Sequence, residues 1–166
     1  MDVLDFALKM ETDGKAYYQQ LADKATVPGL KTIFTMLAED EQKHYDIFQA
    51  MKERTPAGVR EAPAADRARS VFEGLVAEDD FQKRAVVAND IPTEAYEHGM
   101  RMEDESIRMY VDMMNKTQDE GARRVIARII EEEKKHYNVL ENIYDFVLRP
   151  HYFLQWREFT NLTELM

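Results

Sequence analysis

The chain has 166 residues, enough for one domain with a sizeable core, and 45% of them are apolar. A charged fraction of 33% with only 6 glycines and 5 prolines favours a mostly helical protein, and the net charge of −10 argues against nucleic acid or an anionic membrane as a partner. With no cysteine, the chain cannot hold a disulfide, a zinc ribbon or an iron bound by four thiolates. The opening "MDVLDFALKMETDGK" has no basic lead and no long apolar run, so neither a signal peptide nor a membrane span is expected. The cytoplasm is the default location.

Four segments have helical periodicity. The first is expected from about Val3 to Lys24, with the stripe Leu4, Ala7, Glu11, Gly14, Tyr18, Leu21 and Ala25, and "VPG" at 27–29 ends it. The second runs from about Leu30 to Lys52, with Leu30, Phe34, Leu37, Glu41, His44, Phe48 and Met51 on one face. A long connection follows, residues 54–92, rich in Pro and Ala at its start and carrying one short amphipathic piece around Val71, Phe72, Leu75 and Val76. A connection of that length is uncommon unless it crosses the length of a bundle. The third segment opens near Asp90, a candidate cap, with Pro92 suited to a first turn. Its stripe is Tyr96, Gly99, Glu103, Ser106, Tyr110 and Met113. The fourth follows Gly121, with Ala122, Val125, Ile129, Glu133, His136, Leu140, Ile143 and Val147, and should end before Pro150.

The layout is hairpin, crossover, hairpin: an all-α bundle of four helices over residues 1–150, up-down-down-up. Residues 151–166 form an aromatic tail, with Phe153, Trp156 and Phe159, expected to pack on the bundle or on a partner subunit. The tail and the crossover together suggest a homodimer.

An internal repeat supports this layout. A shift of 92 residues lays Glu11 on Glu103, Glu41 on Glu133 and His44 on His136. Met10, Tyr18, Gly29 and Tyr45 fall on Met102, Tyr110, Gly121 and Tyr137 in the same register, without a gap through the turn.

A lone Glu-x-x-His on a helix is usually an ordinary surface pair, and "EEEKKH" alone reads as a solvated charge run. Three features point the other way. Glu11, Glu41, Glu103 and Glu133 each sit mid-stripe among apolar neighbours, where uncompensated carboxylates are very unfavourable. Glu41 with His44, and Glu133 with His136, put a carboxylate and an imidazole on one face a turn apart. All six recur in one register of the repeat. Two divalent cations would neutralise the four carboxylates, and oxygen and imidazole donors without thiolate suit iron or manganese, and also zinc. The expected arrangement has Glu11 and His44 on one metal, Glu103 and His136 on the other, and Glu41 and Glu133 bridging, as in the di-metal carboxylate bundles.

The stretches "ALKMETDGKAYYQQLA", "LAEDEQKHYDIF" and "EEEKKHYNVLENIYDF" resemble the ferritin-like superfamily, its rubrerythrin group in particular, over nearly the whole chain. The resemblance implies a ferritin-like four-helix bundle with two iron ions. It also implies an oxidoreductase that reduces hydrogen peroxide, reacts with dioxygen or oxidises ferrous iron. Two departures bear on the carry-over. Rubrerythrins proper have a further Glu where this chain has Ser106, and they carry a rubredoxin-like module that a chain without cysteine cannot form. Electrons would then come from an external donor. Two non-catalytic readings stand beside this one: iron handling or storage, and a metal-stapled scaffold that binds a partner.

Around the six ligands, Asp40 and Glu132 are candidates to accept the outer N–H of the two histidines, with a pairing across the repeat as one option. Tyr18 and Tyr110 are either hydrogen-bond donors to ligand carboxylates or ordinary core tyrosines. His98 and His151 lack repeat partners and are read as non-ligands. Gly14 and Ser106 are equivalent, each three residues past its Glu. They signify either close helix approach or an open route for the oxidant, in which case leucine at either position would leave all six ligands in place.

Overall fold

The computed structural model describes residues 3–53 and 91–145. Four helices make up these stretches: α1 Val3–Lys24, α2 Pro28–Lys52, α3 Thr93–Lys116 and α4 Glu120–Ile143. α1 packs along α2, and α3 along α4, as two antiparallel hairpins; α1 also meets α3, and α2 meets α4. The tail from 151, the short piece around Val71–Val76, the caps and stops proposed at Asp90 and Pro150, and His151 lie outside the described residues.

The direction of the helices follows from which side chains meet. Tyr18 bonds Glu103 and Tyr110 bonds Glu11, so seven residues back along α1 correspond to seven forward along α3, and the two are antiparallel. Asp40 with His136 and His44 with Glu132 give the same result for α2 and α4. If α1 runs up, α2 and α3 run down and α4 up. The end of α2 and the start of α3 therefore lie at opposite ends of a bundle about 35 Å long, at roughly 1.5 Å per residue. This is the ferritin-like four-helix arrangement with its one long crossover, whose course through 54–90 lies outside the described residues.

Both hairpin turns use the same backbone. Val27 and Asp119, one residue before each second helix, share φ −79° and ψ 116°. Asp119 accepts from Ala122 N at 3.0 Å and caps α4, whereas Val27 has no acceptor and instead buries its side chain. α3 begins two residues later than a cap at Asp90 would place it. Pro92 is the residue before the helix, extended at φ −65° and ψ 151°, and its carbonyl accepts from Ala95 N at 2.9 Å. α4 begins at Glu120, ahead of the start after Gly121 that the periodicity suggests, because Asp119 caps it.

The interior is layered along the bundle axis. At the end holding the α1–α2 turn, Leu21, Leu30, Phe34, Leu37, Tyr96, Leu140 and Ile143 form one apolar layer. At the other end, Ala7, Leu8, Phe48, Tyr110, Met113, Ile126, Ile129 and Ile130 form a second. Ile33, Ile126 and Ile130 lie outside the narrow sequence stripes, because a helix facing a bundle core buries a band wider than one row. Between the two layers lie seven buried polar side chains: Glu11, Asp40, Glu41, His44, Glu103, Glu133 and His136. Among the described residues, no helix is long and apolar enough to cross a membrane.

Candidate metal centre

The six side chains singled out by the repeat come together at mid-bundle. Glu11, Glu41, His44 and Glu133 form one group, and Glu41, Glu103, Glu133 and His136 a second; within each, one donor atom per residue lies within 4.8 Å of all the others. Glu41 and Glu133 belong to both groups. The helices explain this. Glu11 and Glu103 come from the inner faces of α1 and α3, while each Glu-x-x-His pair comes from one turn of α2 or α4.

Both imidazoles are oriented from behind. His44 Nε2 lies 2.7 Å from Glu132 Oε2, and His136 Nε2 lies 3.1 Å from Asp40 Oδ2. Each support is therefore supplied by the opposite hairpin. The supports are themselves partnered: Asp40 has Lys43 at 3.6 Å, and Glu132 has Arg128 at 3.4 Å. With Nε2 committed outward, both Nδ1 atoms face the cluster, and the two rings stack with centroids 5.7 Å apart. Tyr18 donates to Glu103 and Tyr110 donates to Glu11, again across the hairpins. Core tyrosine and carboxylate anchor prove to be one role, since both rings are buried and both hydroxyls are used.

Electrostatics inside the cluster are strongly coupled. Burial raises Glu41 well above the usual carboxylate range, and the charges of Glu133, Glu11 and Glu103 add to it. Burial and the Glu133 charge push Glu103 up to about 7. For His44, burial works to lower the value, but Glu133 and Glu11 outweigh it and the imidazole is held well above its ordinary range. His136 follows the same pattern, with Glu103 and Asp40 as the main opposing groups. Burial also works to raise Glu133, yet the His44 charge and the contacts from both imidazoles hold it well below the usual range. Without metal, protons on Glu41, Glu103 and the two imidazoles stand in for cationic charge.

Proximity here is not the same as hydrogen bonding. His136 Nδ1 lies 2.9 Å from Glu41, 3.0 Å from Glu133 and 3.5 Å from Glu103; His44 Nδ1 lies 3.2 Å from Glu133 and 3.5 Å from Glu11. Even so, Glu11 Oε2, Glu41 Oε1, both oxygens of Glu133 and both Nδ1 atoms lack an aligned hydrogen-bond partner. Buried polar atoms left this way are costly. Six of them converge at short range, and once the imidazoles and carboxyls give up their protons they are a donor set of the kind a metal site requires, with oxygen and imidazole chemistry that fits iron, manganese or zinc.

Gly14 does not line an open route. A Cβ there would lie 3.0 Å from Glu41 Oε2, 3.3 Å from its Cδ and 3.6 Å from its Cγ. The Glu41 carboxylate occupies the space that a side chain would need, so leucine at position 14 cannot leave all six ligands in place. His98 is outside both groups; it lies exposed at the surface, edge-on to Tyr17 at 5.0 Å.

An all-helical bundle of ferritin-like architecture, carrying a buried carboxylate–imidazole cluster that fits a metal site, is the class these features define. Residues 2–144 match the family model described as Rubrerythrin, and the chain belongs to that family. No match was found among curated proteins or among solved structures.

Proposed function

We propose that the chain holds two iron ions and works as a non-haem oxidoreductase of the rubrerythrin type, reducing peroxide or dioxygen with electrons from an external donor, or oxidising ferrous iron. The observation that carries this reading is the pair of buried four-residue groups that share Glu41 and Glu133, with six atoms of Glu11, Glu41, His44, Glu133 and His136 left without a hydrogen-bond partner. Glu11 and His44 would hold one ion and Glu103 and His136 the other, with Glu41 and Glu133 bridging. An iron pair, when bound, supplies the electrons that peroxide or dioxygen takes up. The rest is done by the chain. Glu132 and Asp40 hold the Nε2 side of the rings, so that Nδ1 would be the atom offered to a metal. Tyr110 and Tyr18 hold Glu11 and Glu103 in one orientation each. The apolar layers on either side keep bulk water from the carboxylates.

The test is turnover. Ferrous-loaded protein kept free of oxygen should consume hydrogen peroxide repeatedly when a reductant is supplied. Growth of mineral far beyond two irons per chain would establish storage instead. A tightly held zinc pair with no redox response would establish a scaffold.

A further inference from the structure

The repeat makes the two sides of the site equivalent in sequence position, yet among the described residues only one side has a line of aromatic rings leading out of it. His136 packs on Tyr18 with centroids 6.2 Å apart, Tyr18 on Tyr17 at 6.1 Å, and Tyr17 on His98 at 5.0 Å. Burial falls along the same line: Tyr18 is fully buried, Tyr17 half-buried and His98 exposed. On the equivalent side, the position of Tyr17 is Met109 and that of His98 is Phe6. There, among the described residues, the ring packed on Tyr110 is Phe48, at 5.0 Å and fully buried. Phenylalanine is far harder to oxidise than a phenol, so among the described residues that side ends in the core.

We propose that Tyr18 and Tyr17 form a one-electron route between the metal centre and the surface beside His98 and Arg101, a proposal that rests on the di-metal reading above. The physical reason is distance. Electron tunnelling decays exponentially with separation, so two short hops between neighbouring phenols outrun one long hop from the surface to the centre. The step balances as follows. A one-electron oxidant at the surface takes an electron from Tyr17, whose hydroxyl donates to the Ala95 carbonyl and turns from it to release its proton to solvent beside the half-buried ring. Tyr17 then takes an electron from Tyr18, and the Tyr18 proton moves along its hydrogen bond to Glu103. With ferrous iron held beside Glu103 and His136, Tyr18 would be re-reduced by one electron from it and would regain its proton from Glu103. Tyr17 regains a proton from solvent. The net change is one electron moved from centre to surface, with no bond formed. Run in reverse, oxidising equivalents left in the centre reach Tyr17, where an external reductant can quench them without entering the bundle. His98 shields the Tyr17 ring and is not a redox station, because imidazole is harder to oxidise than phenol.

The absence of cysteine from the chain allows a clean test. A ruthenium polypyridyl photo-oxidant is attached at Arg101→Cys, beside Tyr17, or at Lys9→Cys, the repeat-equivalent exposed position on the side without the route. Both proteins are loaded with ferrous iron anaerobically to matched occupancy, and flash-induced ferrous oxidation is followed by its absorbance. Oxidation from position 101 should be faster than from position 9 by an order of magnitude or more. Tyr17→Phe should remove that advantage, and Tyr17→Trp, which restores an oxidisable ring, should return most of it. Equal rates from the two positions, or a position-101 rate that Tyr17→Phe leaves unchanged, would overturn the route. Failure of the parent protein to take up two irons would instead overturn the di-metal reading, so the two failures are distinguishable.

Discussion

Hairpin α1–α2 and hairpin α3–α4 turn through the same backbone at Val27 and Asp119 and present the same Glu, Glu, His triplet, but their surroundings differ. In the first hairpin, Gly14 leaves the space into which the Glu41 carboxylate fits; in the second, the equivalent position is Ser106. Glu133 lies within 3.2 Å of both imidazole Nδ1 atoms, while Glu41 comes close only to that of His136. What both hairpins share is the crossing of supports: every outer partner of a proposed ligand comes from the other hairpin. Neither hairpin can build half of the site alone. The duplicated frame thus keeps its two-fold form at the six proposed ligands and departs from it at their neighbours.

The largest effects should come from the two shared carboxylates. Glu41→Ala and Glu133→Ala should each reduce bound metal at both positions, whereas Glu11→Ala and Glu103→Ala should chiefly empty one, as read by metal content after equilibrium dialysis. Equal losses in all four variants would break the distinction between shared and terminal ligands.

Removing metal should expose the coupling between the hairpins as a pH effect. Glu103, pushed up to about 7 from 4.5, contributes stability that is complete below 4.5 and is lost as pH rises through about 7. That shift corresponds to something on the order of 3 kcal/mol. Glu41, His44 and His136, all raised, act in the same direction, the histidine part being complete below 6.5. Glu133, lowered, acts oppositely: its contribution is present above 4.5 and is lost as pH falls. Metal-free protein should therefore melt highest in mildly acid solution and weaken through neutrality. The metal-loaded form should gain over it as pH rises, since metal competes with those protons. Thermal melts of both forms across pH 4.5–8 check this, and parallel profiles would contradict it.

Asp40→Asn and Glu132→Gln should each weaken metal binding about 10–100-fold, the usual effect of losing a partner that orients a ligating histidine. Because the supports cross, the Asp40 variant should perturb the metal beside His136, and the Glu132 variant the one beside His44. Paramagnetic NMR of cobalt-substituted protein separates the two sites.

Gly14→Ala tests the asymmetry itself. Alanine should favour the helix by about 0.5–1 kcal/mol, yet Glu41 must shift by a few tenths of an ångström to admit the new Cβ. The expected result is a metal-free form that is no less stable, with weaker metal binding. Ser106→Ala should leave metal binding nearly unchanged. The smallest effect belongs to the turns: Asp119→Ala should cost about 1 kcal/mol through loss of its cap, a loss that the uncapped turn at Val27 cannot show.

Much of this was legible in the sequence because a duplicated pattern fixes register. The helix bounds at Lys24 and Lys52 follow from the apolar stripes, the direction of the four helices from two short turns and one long connection, and the meeting of the six proposed ligands from the repeat at a shift of 92 residues. The role of Gly14 was not legible. A missing side chain records that space is needed, but not which atom takes it, and here a carboxylate from α2 does. The line from Tyr18 through Tyr17 to His98 was hidden for a related reason. Tyr17 stands off the repeat stripe, and His98 has no repeat partner; their contact depends on how α1 and α3 cross.

The central claim is that the two hairpins jointly build one site for two metals. Anaerobic titration of metal-free protein with ferrous iron, followed by isothermal calorimetry, tests it most directly. A break at two irons per chain in the parent, falling to one or fewer in Glu133→Ala, is the expected result. A break at one iron in the parent, or at two in both proteins with unchanged affinity, would contradict it.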